Sequence, residues 1–148
     1  MNNKWDLRML QVAKLVSTFS KDPSTKVGAV IYNPERKTII TTGYNGFPRG
    51  TQDDDVLYSD RQQKYPRVVH AEANAIVEAA SQGTSTFGGH LAITHTPCAD
   101  CAGLVIQAGI KRIVYEDTGD DMKRLGGDHA RQLFNEAKIA LIGLKLEV

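Results

Sequence analysis

The sequence has little of three things: cysteine, an excess of charge of one sign, and long apolar runs. Only 2 of its 148 residues are cysteine, so no framework of disulfides can staple the fold. Its 18 basic residues nearly balance its 17 acidic ones, whereas domains that bind nucleic-acid backbones usually carry a clear basic excess. No apolar run is long enough to cross a membrane, and no leader segment is recognisable. We therefore expect a cytoplasmic protein that acts on small molecules, with no nucleic-acid or membrane partner.

At 148 residues the chain is long enough to bury its own core, and we predict a single domain that spans residues 1–148. Apolar residues recur at helical spacing from Trp5 to Phe19, which predicts a first amphipathic helix with these side chains in the core. A further helix is predicted over residues 128–138.

Apolar runs bounded by turn residues predict five strands. The first two form an antiparallel hairpin, and the later ones alternate with helices, which favours parallel pairing. The expected fold is α/β, with a mixed five-stranded sheet and helices on both faces. The predicted strands are residues 27–32, a run that ends near Gly43, and residues 90–95, 110–115 and 139–148.

A long connection, residues 44–69, lies between the hairpin and the next helix and is predicted to be a loop. Loops of this length inside a compact domain are usually functional or disordered. Its glycines allow close approach to the backbone, and Asn45 offers a donor and an acceptor for a sugar hydroxyl. A tight turn is the alternative for residues 43–50, and the acidic run 53–55 is expected to be a solvated loop. The polar segment 116–127 could be a lid or a simple connection.

Two short motifs, His70-Ala71-Glu72 and Pro97-Cys98-Ala99-Asp100-Cys101, carry the chemistry. One imidazole and two thiolates can bind a tetrahedral Zn²⁺ and leave its fourth position open to water. Glu72 follows the histidine closely enough to take a proton from that water, whose pKa zinc lowers to about 7. The two motifs together predict a catalytic metal site.

Each motif is expected at the start of a helix. A helix-forming run follows His70 and ends near Gly83, and a second apolar run, residues 102–108, ends at Gly109. His70 and Glu72 would lie in the first turn of one helix, and both cysteines in the opening turn of the other. The positive end of a helix favours thiolates, so two helix N-termini are expected to converge on one metal.

Simpler interpretations of the same residues exist. The cysteine pair could be a redox couple, although the upstream His-x-Glu disfavours this. A structural zinc would need a fourth protein ligand, and only three other histidines could supply it. His95 is expected to be a satisfied histidine at the end of a strand, and His90 and His129 are expected to be ordinary surface or loop residues.

Six stretches run along nearly the whole chain: "KDPSTKVGAV", "GYNGFPRG", "DDVL", "KYPRVVHAEANAI", "PCADC" and "QAGIKRIVY". Through them the chain resembles the deoxycytidylate (dCMP) deaminases. His-x-Glu with Pro-Cys-x-x-Cys is the signature of zinc-dependent base deaminases in general. The Gly-Tyr-Asn-Gly-x-Pro loop narrows the likeness to the branch that acts on nucleotides. The resemblance implies the cytidine-deaminase α/β/α sandwich and a homohexamer.

By this resemblance, the enzyme would hydrolyse dCMP to dUMP and ammonia, which feeds dTMP synthesis. His70, Cys98 and Cys101 would bind the zinc, and Glu72 would carry the proton. The other implied contacts are that Asn45 binds the deoxyribose and that the backbone amide of Ala71 faces the pyrimidine.

Four further residues are candidates for substrate contacts on chemical grounds. A 5′-phosphate needs donors or positive charge, and Lys26 with Ser24 and Thr25 at the start of the first strand are our candidates. A solvated lysine is the alternative. Tyr115, at the end of a strand, could stack on the base or fill the core.

The resemblance also implies regulation, with dCTP as activator and dTTP as inhibitor. The implied effector residues are Asn45, Gly46, Phe47 and Arg49, with Arg49 able to meet a triphosphate that could bring Mg²⁺. Some viral members hold a second, structural zinc through additional cysteines. This chain lacks them, so one zinc per subunit is expected.

Three rival functions share some of these features. A nucleoside cytidine deaminase needs no phosphate site, and the Gly-Tyr-Asn-Gly loop counts against it. A tRNA adenosine deaminase uses the same motifs, but the near-neutral charge disfavours it. A zinc-stabilised binding module would explain the ligands and leave Glu72 without a purpose.

Overall fold

A computed structural model describes residues 4–119 and 127–146. No helix in these two ranges is long and apolar enough to span a membrane. The elements in chain order are α1 (Lys4–Ser17), β1 (Gly28–Asn33), β2 (Thr38–Tyr44), α2 (Asp55–Ser59), α3 (Arg61–Arg67), α4 (Ala71–Ser81), β3 (His90–Ile93), α5 (Ala99–Gln107), β4 (Arg112–Glu116), α6 (Gly127–Glu136) and β5 (Ala140–Leu144).

The five strands form one mixed sheet in the order β2-β1-β3-β4-β5. β1 is antiparallel to β2 and to β3, and the pairs β3–β4 and β4–β5 are parallel. The predicted hairpin and the predicted parallel units are both confirmed. Ile93 pairs with Tyr115, so the carboxyl ends of β3 and β4 lie side by side at one edge of the sheet.

Helices cover both faces of the sheet, because β1 alternates apolar side chains toward each face. On one face, α1 packs Met9, Leu10 and Ala13 against Val30 and Tyr32. On the other face, α4, α5 and α6 pack against the opposite set of strand residues. That second cluster includes Ala29, Ile31, Ala71, Ala75, Leu91, Ile93, Ala102, Val105, Ile113, Tyr115, Ala130 and Phe134. This arrangement is the predicted α/β/α sandwich.

Gly43 allows α4 to lie directly on β2. A Cβ atom at this position would be 2.3 Å from the carbonyl oxygen of Ala71 and 2.5 Å from the backbone nitrogen of Ala75. Backbone atoms cannot yield at such distances, so any side chain here would push the helix away. Because Ala71 is the first residue of α4, this contact fixes the height of the His70–Glu72 motif above the sheet.

The prediction that residues 44–69 form a loop is wrong, because the segment contains α2 and α3. Asp55 is the first residue of α2 rather than part of a solvated loop. Both helices are short, and α3 contains Pro66, so neither has the apolar periodicity that identifies a helix in a sequence. The lid or connection predicted at 116–127 falls largely on residues 120–126, outside the described ranges.

Phe19 is not a core residue, in contrast to the prediction from helical spacing. It lies beyond the end of α1 and is 56% exposed, with its ring edge-on to Tyr44 at 5.9 Å between centroids. The helical pattern therefore continues in the sequence for two residues after the helix has ended. The final strand is also shorter than predicted, ending at Leu144.

Candidate active site

The predicted ligands His70, Cys98 and Cys101 come together. Nδ1 of His70 lies 3.5 Å from Sγ of Cys98 and 3.3 Å from Sγ of Cys101, and all three ligand atoms lie within 4.8 Å of one another. Typical Zn–N and Zn–S bond lengths at a tetrahedral angle give an N···S separation of about 3.6 Å. The cluster thus has the size and the donor chemistry that zinc requires, with Nδ1 as the imidazole ligand.

Two helix starts bring these ligands together, as predicted. His70 is the N-cap of α4, so it lies one position before the first turn rather than within it. Cys98 is the N-cap of α5, and Cys101 lies in the first turn of that helix. Both N-cap residues have extended backbone conformations, which turns their side chains back toward the helix start.

The two thiols influence each other strongly and are not joined in a disulfide. Hydrogen bonds with Cys101 and His70 hold the pKa of Cys98 well below its usual range. The hydrogen bond to Cys98, burial, and the charge of Glu72 raise the pKa of Cys101. A divalent cation would stabilise both thiolates, so this concentration of negative charge is suited to a metal rather than to an isolated thiol pair.

Glu72 lies in the first turn of α4 and is 1% exposed. Its carboxyl group acts on the Cys101 thiol both by charge and as a hydrogen-bond partner, so it faces the ligand cluster. A buried carboxyl group at this position can exchange protons with a reactant held at the metal.

The other histidines do not join the cluster. Among the described residues, His70, Cys98 and Cys101 form the only group of three or more side chains suited to a metal. His95 follows β3, half-buried, with Nδ1 3.5 Å from the hydroxyl of Thr94. His90 is not a loop residue: it begins β3, half-buried against the Tyr32 ring, and burial lowers its imidazole pKa. His129 is exposed on α6. A catalytic zinc with one open position fits this arrangement better than a structural zinc.

Asn45 lies at the end of β2, 6% exposed, with its side-chain amide engaged inside the protein. Its Oδ1 accepts from the backbone N–H of Val27 at 2.8 Å. Its Nδ2 donates to the carbonyl of Thr25 at 2.8 Å and to Asp22 at 3.3 Å. Both Nδ2 hydrogens are engaged, so Asn45 could bind a sugar hydroxyl without exchanging one of these bonds only as an acceptor, through the second lone pair of Oδ1.

The phosphate candidates Ser24, Thr25 and Lys26 lie on an exposed segment just before β1. The N–H groups of Ser24 and Thr25 donate to Asp22, and Nζ of Lys26 donates to the carbonyl of Ser20 at 2.5 Å. The Lys26 ammonium has no carboxylate partner among the described residues, so its charge remains available to an anion.

Ala71 and Tyr115 lie on the side of the sheet that carries the zinc ligands. Ala71 is fully buried as the first residue of α4, where amide N–H groups have no partner inside the helix. Tyr115 is 8% exposed within the main core, and its hydroxyl accepts from Nη2 of Arg131 at 3.3 Å. Its ring fills the core in this structure, and stacking on a base stays a prediction.

Three of the four predicted effector residues line a groove of about 820 Å³ between the end of β2 and the outer face of α4. Gly46, Phe47 and Arg49 lie on one wall, and Asn74, Val77, Glu78 and Ser81 on the other. Asn45 is not among the lining residues. Arg49 extends across the groove, 87% exposed, with Nη2 3.2 Å from Oε2 of Glu78.

Sequence reasoning missed Asp22, Lys64 and Arg131. Nζ of Lys64 lies 2.8 Å from Oδ2 of Asp22, which is 2% exposed, and the Arg131 guanidinium lies 5.5 Å from the Tyr115 ring. Each is a single charged residue with no local pattern that would predict its burial. The signal that could have identified Asp22 and Lys64 is that both lie in stretches that carry the family resemblance, "KDP" and "KYP".

The fold and the site define a class of protein: a zinc-dependent hydrolytic enzyme with a buried carboxylate beside the metal ligands. Comparisons with known proteins agree. Residues 3–117 match the cytidine and deoxycytidylate deaminase zinc-binding region. The chain is 36% identical to an uncharacterised deaminase of Aliivibrio fischeri, over 100% of this chain and 99% of the relative. It is 39% identical to human deoxycytidylate deaminase, over 92% of this chain and 77% of that protein.

The structural comparison agrees with the sequence matches. The crystal structure of dCMP deaminase from the cyanophage S-TIM5, in complex with dCMP and dUMP, superposes with a TM-score of 0.78 at 26% identity. The match covers 97% of this chain and 99% of that one. This protein belongs to the family of cytidine and deoxycytidylate deaminases.

Proposed function

We propose that this enzyme hydrolyses dCMP to dUMP and ammonia and so supplies the precursor of dTMP. The observation that carries the proposal is the His70–Cys98–Cys101 cluster with the buried Glu72 facing it. Similarity to human deoxycytidylate deaminase and to a structure that contains dCMP and dUMP supports the choice of substrate.

The three metal ligands and Glu72 have separate roles in the proposed reaction. Zinc, when bound by His70, Cys98 and Cys101, would lower the pKa of a water molecule to about 7. Glu72 accepts a proton from the attacking water and passes it to N3 of the cytosine while the water oxygen bonds to C4. Glu72 then takes the proton of the new C4 hydroxyl and gives it to the amino group as the C4–N bond breaks, so that ammonia leaves and C4 becomes the carbonyl of dUMP. The burial of Glu72 keeps bulk water away from these transfers.

The remaining substrate contacts extend the same proposal. Asn45 would bind the deoxyribose, the Ala71 amide would face the pyrimidine edge, and Tyr115 would contact the base. Lys26, with Thr25, would bind the 5′-phosphate. The exposed Lys26 ammonium and the position of Ala71 at a helix N-terminus support these roles.

The experiment that tests this function compares dCMP with deoxycytidine by loss of cytosine absorbance. We expect the zinc enzyme to prefer dCMP strongly. Lys26→Ala should lower kcat/KM for dCMP about 10- to 100-fold, since it removes a charged hydrogen bond, and leave the value for deoxycytidine unchanged. Lys145→Ala, which removes another exposed lysine, is the control. Equal rates on both substrates would overturn the nucleotide assignment and favour a nucleoside deaminase.

We further propose that dCTP activates the enzyme and dTTP inhibits it, both through the groove lined by Gly46, Phe47 and Arg49. Its volume of about 820 Å³ lies within the range of ligand pockets. Within residues 4–119 and 127–146, Arg49 is held there only by an exposed pair with Glu78, and such a pair is weak enough for a triphosphate with Mg²⁺ to replace it.

Arg49→Ala tests this regulatory site. We expect the basal activity to be unchanged and the dCTP concentration for half-activation to rise about 10- to 100-fold, because a charged contact to the triphosphate is lost. Arg36→Ala, at an exposed position of the β1–β2 turn, is the matched control. An unchanged dCTP response in the Arg49 variant would exclude this groove as the effector site.

The proposed assembly is a homohexamer. Val77 on α4 and Leu104 on α5 are 54% and 49% exposed, and exposed apolar side chains of this kind support association through these helices. Light scattering of the purified protein measures the mass directly, and a monomer would contradict the assembly.

A further inference from the structure

A single buried carboxylate, Asp22, joins three separate segments of the chain. Its Oδ1 accepts from the backbone N–H groups of Ser24 and Thr25 at 2.8 and 3.2 Å. Its Oδ2 accepts from Nδ2 of Asn45 at 3.3 Å and from Nζ of Lys64 at 2.8 Å. Lys64 also reaches Oδ1, at 2.9 Å. The carboxylate therefore makes contacts through both oxygens, and these contacts join its own segment to Asn45 after β2 and to Lys64 on α3.

The segments that meet at Asp22 carry the proposed nucleotide contacts. Asn45 binds the backbone of Thr25 and Val27, each at 2.8 Å, and its own carbonyl accepts from the hydroxyl of Ser20 at 2.8 Å. Lys26 is tied to the carbonyl of the same serine. Residues 20–27 and Asn45, which include the proposed sugar and phosphate contacts, thus form one hydrogen-bonded unit around Asp22. We call it the nucleotide-contact unit.

This unit is also connected to the metal-bearing segment. Lys64 belongs to α3, six residues before His70. Gly46, which follows Asn45, pairs with Val69, which precedes His70, through hydrogen bonds of 3.1 and 2.8 Å. The nucleotide-contact unit is therefore held to the zinc segment at two points, and one of them is the Asp22–Lys64 ion pair.

Stability alone does not account for this ion pair. The side chains of Asp22 and Lys64 are 2% and 13% exposed, so both charges lose most of their hydration. The cost of such desolvation often cancels the attraction, and an apolar pair of similar volume can be equally stable. Burial acts to raise the pKa of Asp22, but Lys64 and the two backbone amides hold it below its usual range. What two opposite charges add is a fixed distance and direction between the elements that carry them.

We propose that the Asp22–Lys64 ion pair is a positioning device that sets the nucleotide-contact unit at the correct distance from the metal centre. Neither residue touches the reacting atoms. The pair determines how tightly the sugar and phosphate are held, and therefore KM, while the chemistry at Glu72 is left intact. This inference rests on the proposed function.

Asp22→Asn tests the proposal, because it keeps the size of the side chain and removes the charge. We expect KM for dCMP to rise about 10- to 100-fold, since contacts to the sugar and phosphate are weakened by about the worth of a charged hydrogen bond, with kcat within about threefold and zinc content unchanged. Lys64→Gln should likewise raise KM and leave kcat nearly unchanged. Lys64→Arg keeps the positive charge and should have a KM within about threefold of wild type. Asp60→Asn is the matched control, because Asp60 caps α3 at Gln62 and takes no part in the ion pair.

The outcomes separate the two proposals. If the ion pair had a purely structural role, the variants would melt at a lower temperature and keep the wild-type KM. That result, with a wild-type enzyme active on dCMP, overturns the positioning role and leaves the proposed function standing. A wild-type enzyme with no activity on dCMP overturns the proposed function and this inference with it. If Asp22→Asn does not fold, Lys64→Gln and Lys64→Arg test the same proposal, since these two variants differ in charge at one position.

Discussion

Glu72→Gln is expected to retain zinc and lose about 10²- to 10⁴-fold in kcat, the usual contribution of a positioned acid or base. Gln has nearly the same shape as Glu, so a residue that is 1% exposed can be replaced without a cavity. It cannot accept and return a proton, however, so neither N3 nor the departing amino group can be protonated by it. Steady-state kinetics with dCMP and metal analysis of the same sample measure both effects.

Glu35→Gln is the matched control for this variant. It makes the same chemical change in the exposed β1–β2 turn, far from the metal ligands in the sequence, and should leave kcat unchanged. A Glu72→Gln enzyme that keeps most of its wild-type kcat would disprove the role of Glu72 as proton carrier. Loss of zinc from this variant would show instead that Glu72 supports the metal site.

Cys98→Ser should lose zinc and activity together. Replacing a thiolate removes one of three protein ligands and leaves two, so the loss of affinity should exceed the roughly 10- to 100-fold that follows when a ligand loses its hydrogen-bonded neighbour. The variant should also melt at a lower temperature than the zinc-loaded wild type, because a bound metal stabilises only the folded state. Chelation of the wild type should reproduce this shift.

Asp100→Asn separates loss of the ligand from disturbance of the helix start. Asp100 lies between the two cysteines in the first turn of α5 and is exposed, so its substitution changes the same turn without removing a ligand. We expect this control to bind zinc and to turn over dCMP. A Cys98→Ser protein with full zinc content would contradict the assignment of Cys98 as a ligand.

Local patterns predicted most of the fold, because apolar periodicity depends on which face of an element is buried. All five strands and the helices around the motifs are at or near their predicted places. The prediction failed where the periodic signal and the structure diverge. Phe19 continues the helical spacing after α1 has ended, and α3 has no apolar stripe and includes Pro66.

The sequence by itself placed His70 and Glu72 at one helix start and Cys98 and Cys101 at another, because each motif occupies a few consecutive residues and their spacing fixes where each side chain lies on the helix. Only the tertiary structure decided that Asp22 would meet Lys64, 42 residues away, and that Arg49 would face Glu78 across a groove. Such contacts depend on how β2, α3 and α4 pack together. Their geometry is set by long-range packing, including the backbone contact at Gly43, for which a single sequence carries no local signal.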